Sequence, residues 1–506
     1  MTPAVMTANK HAWSDRKSFH NFTLPGEIAR RSTIANSLGM GVFRLRITFH
    51  GATRRVTGSA HLLEVGSRRI LLDCGLFDSD KNEVDGPNRS LTFDPRELDA
   101  VVVSHAHSDH IGRLPLLTRQ GYRGPIFVTH ATGDILSVML RDSARIKRED
   151  ARNASLLDPY AEPVEPLFDM YDVECVIDAL VRRPYQEPIQ ILDDVTLTYH
   201  NAGHILGSAI VQLDVSESGG APRRFVFTGD LGRRDMGLLP DPEIVRDIDF
   251  LVSESTYGGR TLVGYDTLLK QLSAIVARAI RLKGKIVIPA FSLGRTQRMV
   301  YCLQELFDVY KVRPIPVYVD SPLAYRLTEI HRAHKEAYTP AARRLMENDE
   351  AYFGSKYVEY CMSWDDSRRL NHLPGPMAII ASSGMCDAGR IRHHLRHVVE
   401  DPDNAIVIVS YQAEGTLGRK IAEGAEQLRI LDQDLDLNAA VYVLDGFSGH
   451  ADKDDLAWWY EQTGGGYDRA FIVHGEPESM EALAPVLQSH SKNPVVVPEL
   501  LSTYEL

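Results

Sequence analysis

With 506 residues, 44% of them hydrophobic and 25% charged, the chain is long enough for two or three domains of ordinary globular make-up. No apolar run approaches the roughly 18 residues that cross a bilayer, and residues 1–22 lack the apolar stretch of a secretory leader, so no membrane association is expected. The formal net charge of −12 argues against a polyanion as partner of the chain as a whole.

Residues 1–42 are polar and aperiodic, and are expected to form a loosely ordered extension. From Phe43 the pattern becomes β-rich: "FRLRITFHGA", then "HLLEVGSRRILLDCG", whose two runs are separated by Gly66 and Ser67 as in a hairpin. "LDAVVVSHAHSDH" is a short apolar run ending in polar residues, as in a buried strand; "IGRLPLLTRQGY" and residues 132–146 have helical spacing. "VTLTYHNAGHILGSAIVQLDV", "RRFVFTGDLG" and "IDFLVSESTYGG" are three further predicted strands, each with a polar cluster. After Gly259 helices and strands alternate: "TLLKQLSAIVARAIRL", "KIVIPAF", "GRTQRMVYCLQELF", "IPVYVDSP", "PMAIIASSGM" and "NAIVIVSYQAEG". That alternation predicts a mostly parallel sheet flanked by helices. "NAAVYVLDGFSGHAD" and "RAFIVHGEPE" return to the opening style, so the middle reads as an insertion into a discontinuous first domain. The five cysteines are scattered, without a C-x-x-C pair, as expected of reduced thiols in a cytoplasmic protein.

The chemistry is concentrated at "SHAHSDH". In a strand, alternate side chains share a face, so His105 and His107 are placed to bind one ion, while Asp109 and His110, past the strand end, reach a second. Imidazole with carboxylate suits zinc, with manganese or iron as alternatives. His204, Asp230 and His474 each follow an apolar β run, which brings them toward the same sheet edge. The two oxygens of Asp230 suit it to bridge two ions, between which a water would become a hydroxide nucleophile.

"LLDCG", "HAHSDH", the Gly-His of "NAGH" and the Gly-Asp of "TGDLG" together resemble the metallo-β-lactamase fold. "SESTYGGR", "PAFSLGRTQ", "VDSPLA", "ASSGMCDAGR", "YQAEGTLGR", "GFSGHAD" and "VHGE" resemble the β-CASP nucleases, and "GATRRVTGSAHLLEV" is similar to bacterial relatives of the polyadenylation-factor endonuclease. The likeness covers about residues 43–506. It implies an α/β architecture: an αββα metallo-β-lactamase sandwich at 43–258 and 425–506, with a β-CASP domain inserted at 259–424. It further implies two zinc ions, one held by His105, His107 and His204, the other by Asp109, His110 and His474, with Asp230 between them. Asp73 would order the site through hydrogen bonds. Glu254, His450 and His474 match the family's motifs A, B and C. Phosphodiester hydrolysis needs an acid for the leaving alkoxide, and His450 suits that role, with Glu254 fixing its tautomer.

The insert also bears on the substrate. Residues 259–424 hold 23 Lys and Arg against 18 Asp and Glu, a basic section inside an acidic chain. Ser382, Ser383 and Gly384, and likewise Gly415, Thr416, Gly418 and Arg419, lie at strand-to-helix junctions whose backbone N–H groups favour phosphate, with an ordinary helix cap as the competing reading. A basic domain over a metal edge suits single-stranded nucleic acid. By family resemblance the histidine in motif C, His474, goes with RNA. Phosphodiester hydrolysis by the two-metal-activated hydroxide is expected to be endonucleolytic, leaving 3′-hydroxyl and 5′-phosphate ends; a homodimer is compatible with the family. The alternatives are a β-CASP DNA nuclease and a non-catalytic RNA-binding scaffold of a processing complex. The acidic stretch at 78–90 is longer than the family leads one to expect, and from the short stretch after residue 492 the extra domain of the ribonuclease J branch is not expected, so that branch fits less well.

Overall fold

The computed structural model describes residues 45–78, 86–157, 163–216, 221–347, 353 and 356–506. The extension at 1–42 and residues 79–85 of the acidic stretch lie outside the described residues.

Two sheets make the first layer pair. One has seven strands in the order Thr503–Glu505, Leu45–Phe49, His61–Val65, Arg68–Leu72, Ala100–Val102, Ile126–Thr129 and Leu180–Arg183. The other has six, in the order Arg469–Ile472, Phe250–Ser253, Arg223–Phe227, Ala209–Val215, Val195–Asn201 and Ile189–Leu192. Their inner faces meet through aromatic contacts: the Phe49 ring lies 5.2 Å from that of Phe471, and the His61 ring 5.4 Å from that of Phe227. Helices cover both outer faces. Ile135, Leu136 and Leu140 of the helix His130–Leu157 pack on Val101 and Val128 of the first sheet. Leu456 and Trp459 of Lys453–Gln462 and Leu483 of Pro477–Gln488 pack on Val226, Leu251 and Ile472 of the second. Apolar residues on both faces of a strand leave it nowhere to go but between such layers.

The third sheet is parallel throughout, in the order Val358–Tyr360, Val317–Asp320, Met377–Ala381, Lys285–Pro289, Ala405–Ile408 and Ala440–Val443. The helix Tyr265–Leu282 buries Leu268, Leu272, Ile275, Val276 and Ala279 at intervals of three or four, one stripe facing this sheet. The other sheet face is covered by Trp364–His372, Ile391–Val398 and Leu417–Ala422. The segments that lead into and out of this layer meet at Arg233, whose guanidinium donates to the carbonyls of Val263 at 3.1 Å and Gly446 at 2.5 Å.

Four local expectations change. "VTLTYHNAGHILGSAIVQLDV" is two antiparallel strands, Val195–Asn201 and Ala209–Val215. The loop between them needs positive φ at Gly203 and Gly207 (+70° and +85°), where a side chain would also strike the Pro240 carbonyl or the Thr132 amide. The strand before "SHAHSDH" ends at Val102, so strand alternation does not align His105 with His107. The helix expected over 132–146 runs on through His130–Leu157. The strand Ala440–Val443, grouped from its sequence with the chain's closing section, pairs instead with Ala405–Ile408 in the parallel sheet. Among the described residues no helix is long and apolar enough to cross a membrane.

Candidate metal centre

Every metal-binding residue expected from the sequence arrives at one edge of the sandwich, on loops that leave strand ends. His105 and His107 follow Ala100–Val102; Asp109 and His110 lie on the short helix Ser108–Ile111. His204 comes from the loop after Val195–Asn201, Asp230 from beyond Arg223–Phe227, and His474 from beyond Arg469–Ile472.

The donors fall into two groups. In one, His105 Nε2 is 3.0 Å from His107 Nδ1, His204 Nε2 is 3.2 Å from the same Nδ1, and Asp230 Oδ2 is 3.3 Å from His105 and 3.5 Å from His204. In the other, His110 Nε2 and His474 Nε2 are 3.2 Å apart, and Asp109 Oδ2 is 3.3 Å from His474. Asp230 Oδ1 stands 3.4 Å from His110 and 3.5 Å from His474, so each oxygen of one buried carboxylate faces its own group. This spacing tests the fit to a metal. Nitrogen lone pairs at such distances repel, whereas donors about 2.0–2.1 Å from a tetrahedral ion stand roughly 3.3 Å from one another. Both groups can hold a metal ion.

Electrostatics points the same way. Burial holds the imidazoles of His105, His107 and His204 below their ordinary value, His107 at about 3, with neighbouring histidines adding to the effect. These rings are therefore neutral, the form that coordinates. Burial by itself would raise Asp230, but the surrounding histidines, His474 and His110 foremost, hold its carboxyl well below the usual range.

A second layer orients the donors. Asp73 is fully buried at φ +59° and accepts the Ser104 N–H at 2.7 Å, the Ser104 hydroxyl at 2.8 Å and His110 Nδ1 at 2.7 Å. Its carboxylate thus fixes which His110 nitrogen turns inward. Asp73 and His474 (φ +52°) hold left-handed backbone conformations, each costing about 1–3 kcal/mol, that their hydrogen bonds enforce. Glu254 is also fully buried. It accepts the Leu231 N–H at 2.6 Å and the Thr256 hydroxyl at 2.7 Å, and its Oε2 lies 3.2 Å from His450 Nδ1. His450 sits with its ring 4.4 Å from that of His204. Burial pulls its imidazole down, but the Glu254 and Asp230 carboxylates outweigh this and the net shift is upward. Ser104 and Thr256 are positioning residues that the sequence reading passed over; each stands beside a singled-out histidine or glutamate, the one signal available.

The loops of the parallel sheet reach this edge. Tyr411 donates its hydroxyl to Glu476, two residues beyond His474, at 2.7 Å. A side chain at Gly294 would meet Ile205, the neighbour of His204, at 2.9 Å. The two small-residue junctions abut, since Gly418 N–H donates to the Met385 carbonyl at 3.0 Å and Gln412 to that of Gly384 at 3.0 Å. At the second junction the donors are engaged. Leu417 N–H goes to Asp387, Gly418 N–H to Met385, and Arg419 N–H to the Thr416 hydroxyl, while the Arg419 side chain pairs with Glu423. Gly415 to Arg419 therefore form a helix cap that closes a loop. Ser382, Ser383 and Gly384 stand at the end of Met377–Ala381, with the Ser382 hydroxyl 2.7 Å from that of Ser292.

Comparison with known proteins agrees with this architecture. Residues 53–131 match the metallo-beta-lactamase superfamily, 296–421 the Beta-Casp domain, and 434–498 the Zn-dependent metallo-hydrolase RNA specificity domain. Ribonuclease TTHA0252 of Thermus thermophilus is 37% identical over 88% of this chain and 96% of its own length. Transcription termination factor FttA of Methanocaldococcus jannaschii is 30% identical over 90% of this chain and 71% of its own, and that of Methanosarcina mazei 31% over 90% and 72%. A crystal structure of a protein of unknown function from Enterococcus faecalis V583 shares the fold at a TM-score of 0.51 and 14% identity, covering 92% of this chain and 100% of that one. With a histidine–aspartate centre at the edge of an αββα sandwich and a parallel-sheet domain over it, the chain belongs to the metallo-β-lactamase-fold β-CASP family of metal-dependent ribonucleases.

Proposed function

We propose that the protein hydrolyses phosphodiester bonds of single-stranded RNA internally, using two zinc ions. His105, His107 and His204 with Asp230 Oδ2 would hold one ion, and Asp109, His110 and His474 with Asp230 Oδ1 the other. The observation that carries this reading is the single buried carboxylate whose two oxygens face two separate donor groups. Such a pair supplies Lewis acidity to the phosphoryl group and a water nucleophile at neutral pH.

The chain's own residues supply the rest. Glu254 accepts a hydrogen bond from Nδ1–H of His450, leaving Nε2–H to deliver a proton to the departing 3′ oxygen. Asp73 and Thr256 hold His110, Glu254 and His474 in place. The free state of all five cysteines supports a cytoplasmic setting. Incubating matched single-stranded RNA and DNA oligonucleotides with wild type and His450→Ala, with metal content measured on both, tests the proposal. Wild type should cut RNA internally, and the variant should cut it about 100-fold more slowly with its zinc retained. Wild-type rates in the variant would remove His450 from the mechanism, and cleavage of DNA alone would remove the RNA assignment.

A further inference from the structure

A pair of arginines at the start of the helix Arg295–Asp308 has no counter-charge among the described residues. Arg298 is only 5% exposed, and its Nη1 has no hydrogen-bond partner among the described residues. Arg295 is half-buried, and its Nε and Nη1 are likewise unpartnered. Among the described residues, no carboxylate forms an ion pair with either guanidinium. Burial, then Arg298, brings Arg295 down to about 10, while burial and, more weakly, Arg233 lower Arg298. Arg233, a short way off, shows how a structural arginine is treated in the same region. It donates to the carbonyls of Leu262, Val263 and Gly446 and lies 3.5 Å from both Asp452 and Asp455. A buried and a half-buried guanidinium with unpartnered nitrogens are costly unless an anion arrives from outside the chain.

Their position says which anion. Gly294, just before Arg295, adopts φ +76° and packs on Ile205, next to His204. Tyr257, whose hydroxyl is near enough to act on the Arg295 charge, has its ring 6.2 Å from that of His450. The arginines therefore flank the metal edge. In the same loop Phe291 is 39% exposed and lies over Gly384, where an added side chain would come within 2.9 Å of its ring. An exposed aromatic beside uncompensated arginines is the combination that holds a nucleotide strand by stacking and by its backbone.

We propose that Arg295 and Arg298 form a subsite for a backbone phosphate of the substrate strand, next to the phosphate being cleaved. This rests on the RNA reading above. The test is steady-state cleavage of a single-stranded RNA oligonucleotide by wild type, Arg295→Gln and Arg298→Gln across a range of salt concentrations. Loss of one arginine–phosphate contact should raise KM about tenfold, with kcat changed far less, and reduce the slope of log KM against log salt by about 0.7. Arg295→Lys keeps the charge but loses the fork, so it should keep the wild-type salt slope while KM still rises. It also serves as the readout if a glutamine variant fails to fold. KM and salt slope equal to wild type in the folded variants would overturn the subsite. Failure of wild type itself to cut RNA would instead overturn the proposed function.

Discussion

Replacing Asp73 by Asn isolates the part that hydrogen bonding plays in the metal centre. The side chain keeps its size, and asparagine tolerates the φ of +59° at this position. What changes is one acceptor. Asp73 Oδ1 receives the Ser104 N–H at 2.7 Å, and Oδ2 meets His110 Nδ1 at 2.7 Å. A carboxamide can oppose only one of these donors with an oxygen. Keeping the backbone bond turns the NH₂ toward His110, which must then accept at Nδ1 and carry its proton on Nε2. Nε2 is the nitrogen facing His474 at 3.2 Å, so its lone pair is lost to a metal. The forfeited bond involves a charged acceptor and is worth about 1.5–3 kcal/mol, or roughly 10- to 100-fold in affinity for the ion beside His110. The group of His105, His107 and His204 makes no contact with the Asp73 carboxylate and should keep its ion. Competition of the loaded protein with a chromogenic chelator resolves the two affinities. Two ions bound as tightly as in wild type, or two weakened equally, would refute this account of Asp73.

Gly75→Ala should act on the same group from the backbone. A methyl there would lie 1.5 Å from the Asp109 carbonyl and 2.6 Å from the His110 amide, so the turn carrying both must move. Elemental analysis of the folded variant should find the ion near Asp109 lost, and full occupancy would show that the turn yields without cost. His331 offers a pH test away from the centre. It is buried in the parallel-sheet layer, its Nδ1 is 2.9 Å from the Tyr338 hydroxyl, and burial with nearby His334 lowers it to about 3. The unfolded chain protonates this ring below about pH 6.5 and the folded chain does not, so stability falls as the pH drops through that window. Between about pH 7 and pH 5 the loss is about 2 kcal/mol. Denaturant unfolding of His331→Leu should show a pH dependence smaller by that amount, and an unchanged dependence would mean the ring is protonated in the fold.

Much of the site was legible because its signals are local. His105, His107, Asp109 and His110 sit within six residues of one another, and His204, Asp230 and His474 each follow an apolar run that can only be a buried strand. The partners of those residues were not legible. Ser104 and Thr256 are common residue types whose roles depend on which carboxylate the fold sets beside them. Ala440–Val443 has the alternation of any strand, and nothing in it says that its neighbour is Ala405–Ile408. The glycines and threonine at 415–418 suit a phosphate loop and a helix cap equally, and the distinction lies in Asp387 and Met385, some thirty residues away.

The sequence by itself marked the candidate donors, the order of elements and the family, because potential metal donors and hydrophobic periodicity are properties of short stretches. Tertiary structure alone decided which donors lie together, which oxygen of Asp230 faces which group, and that among the described residues Arg295 and Arg298 stand without a counter-charge beside the centre. Those are relations between residues hundreds of positions apart, set by how sheets stack and loops meet. Distances and unpaired charges exist only once the chain has folded.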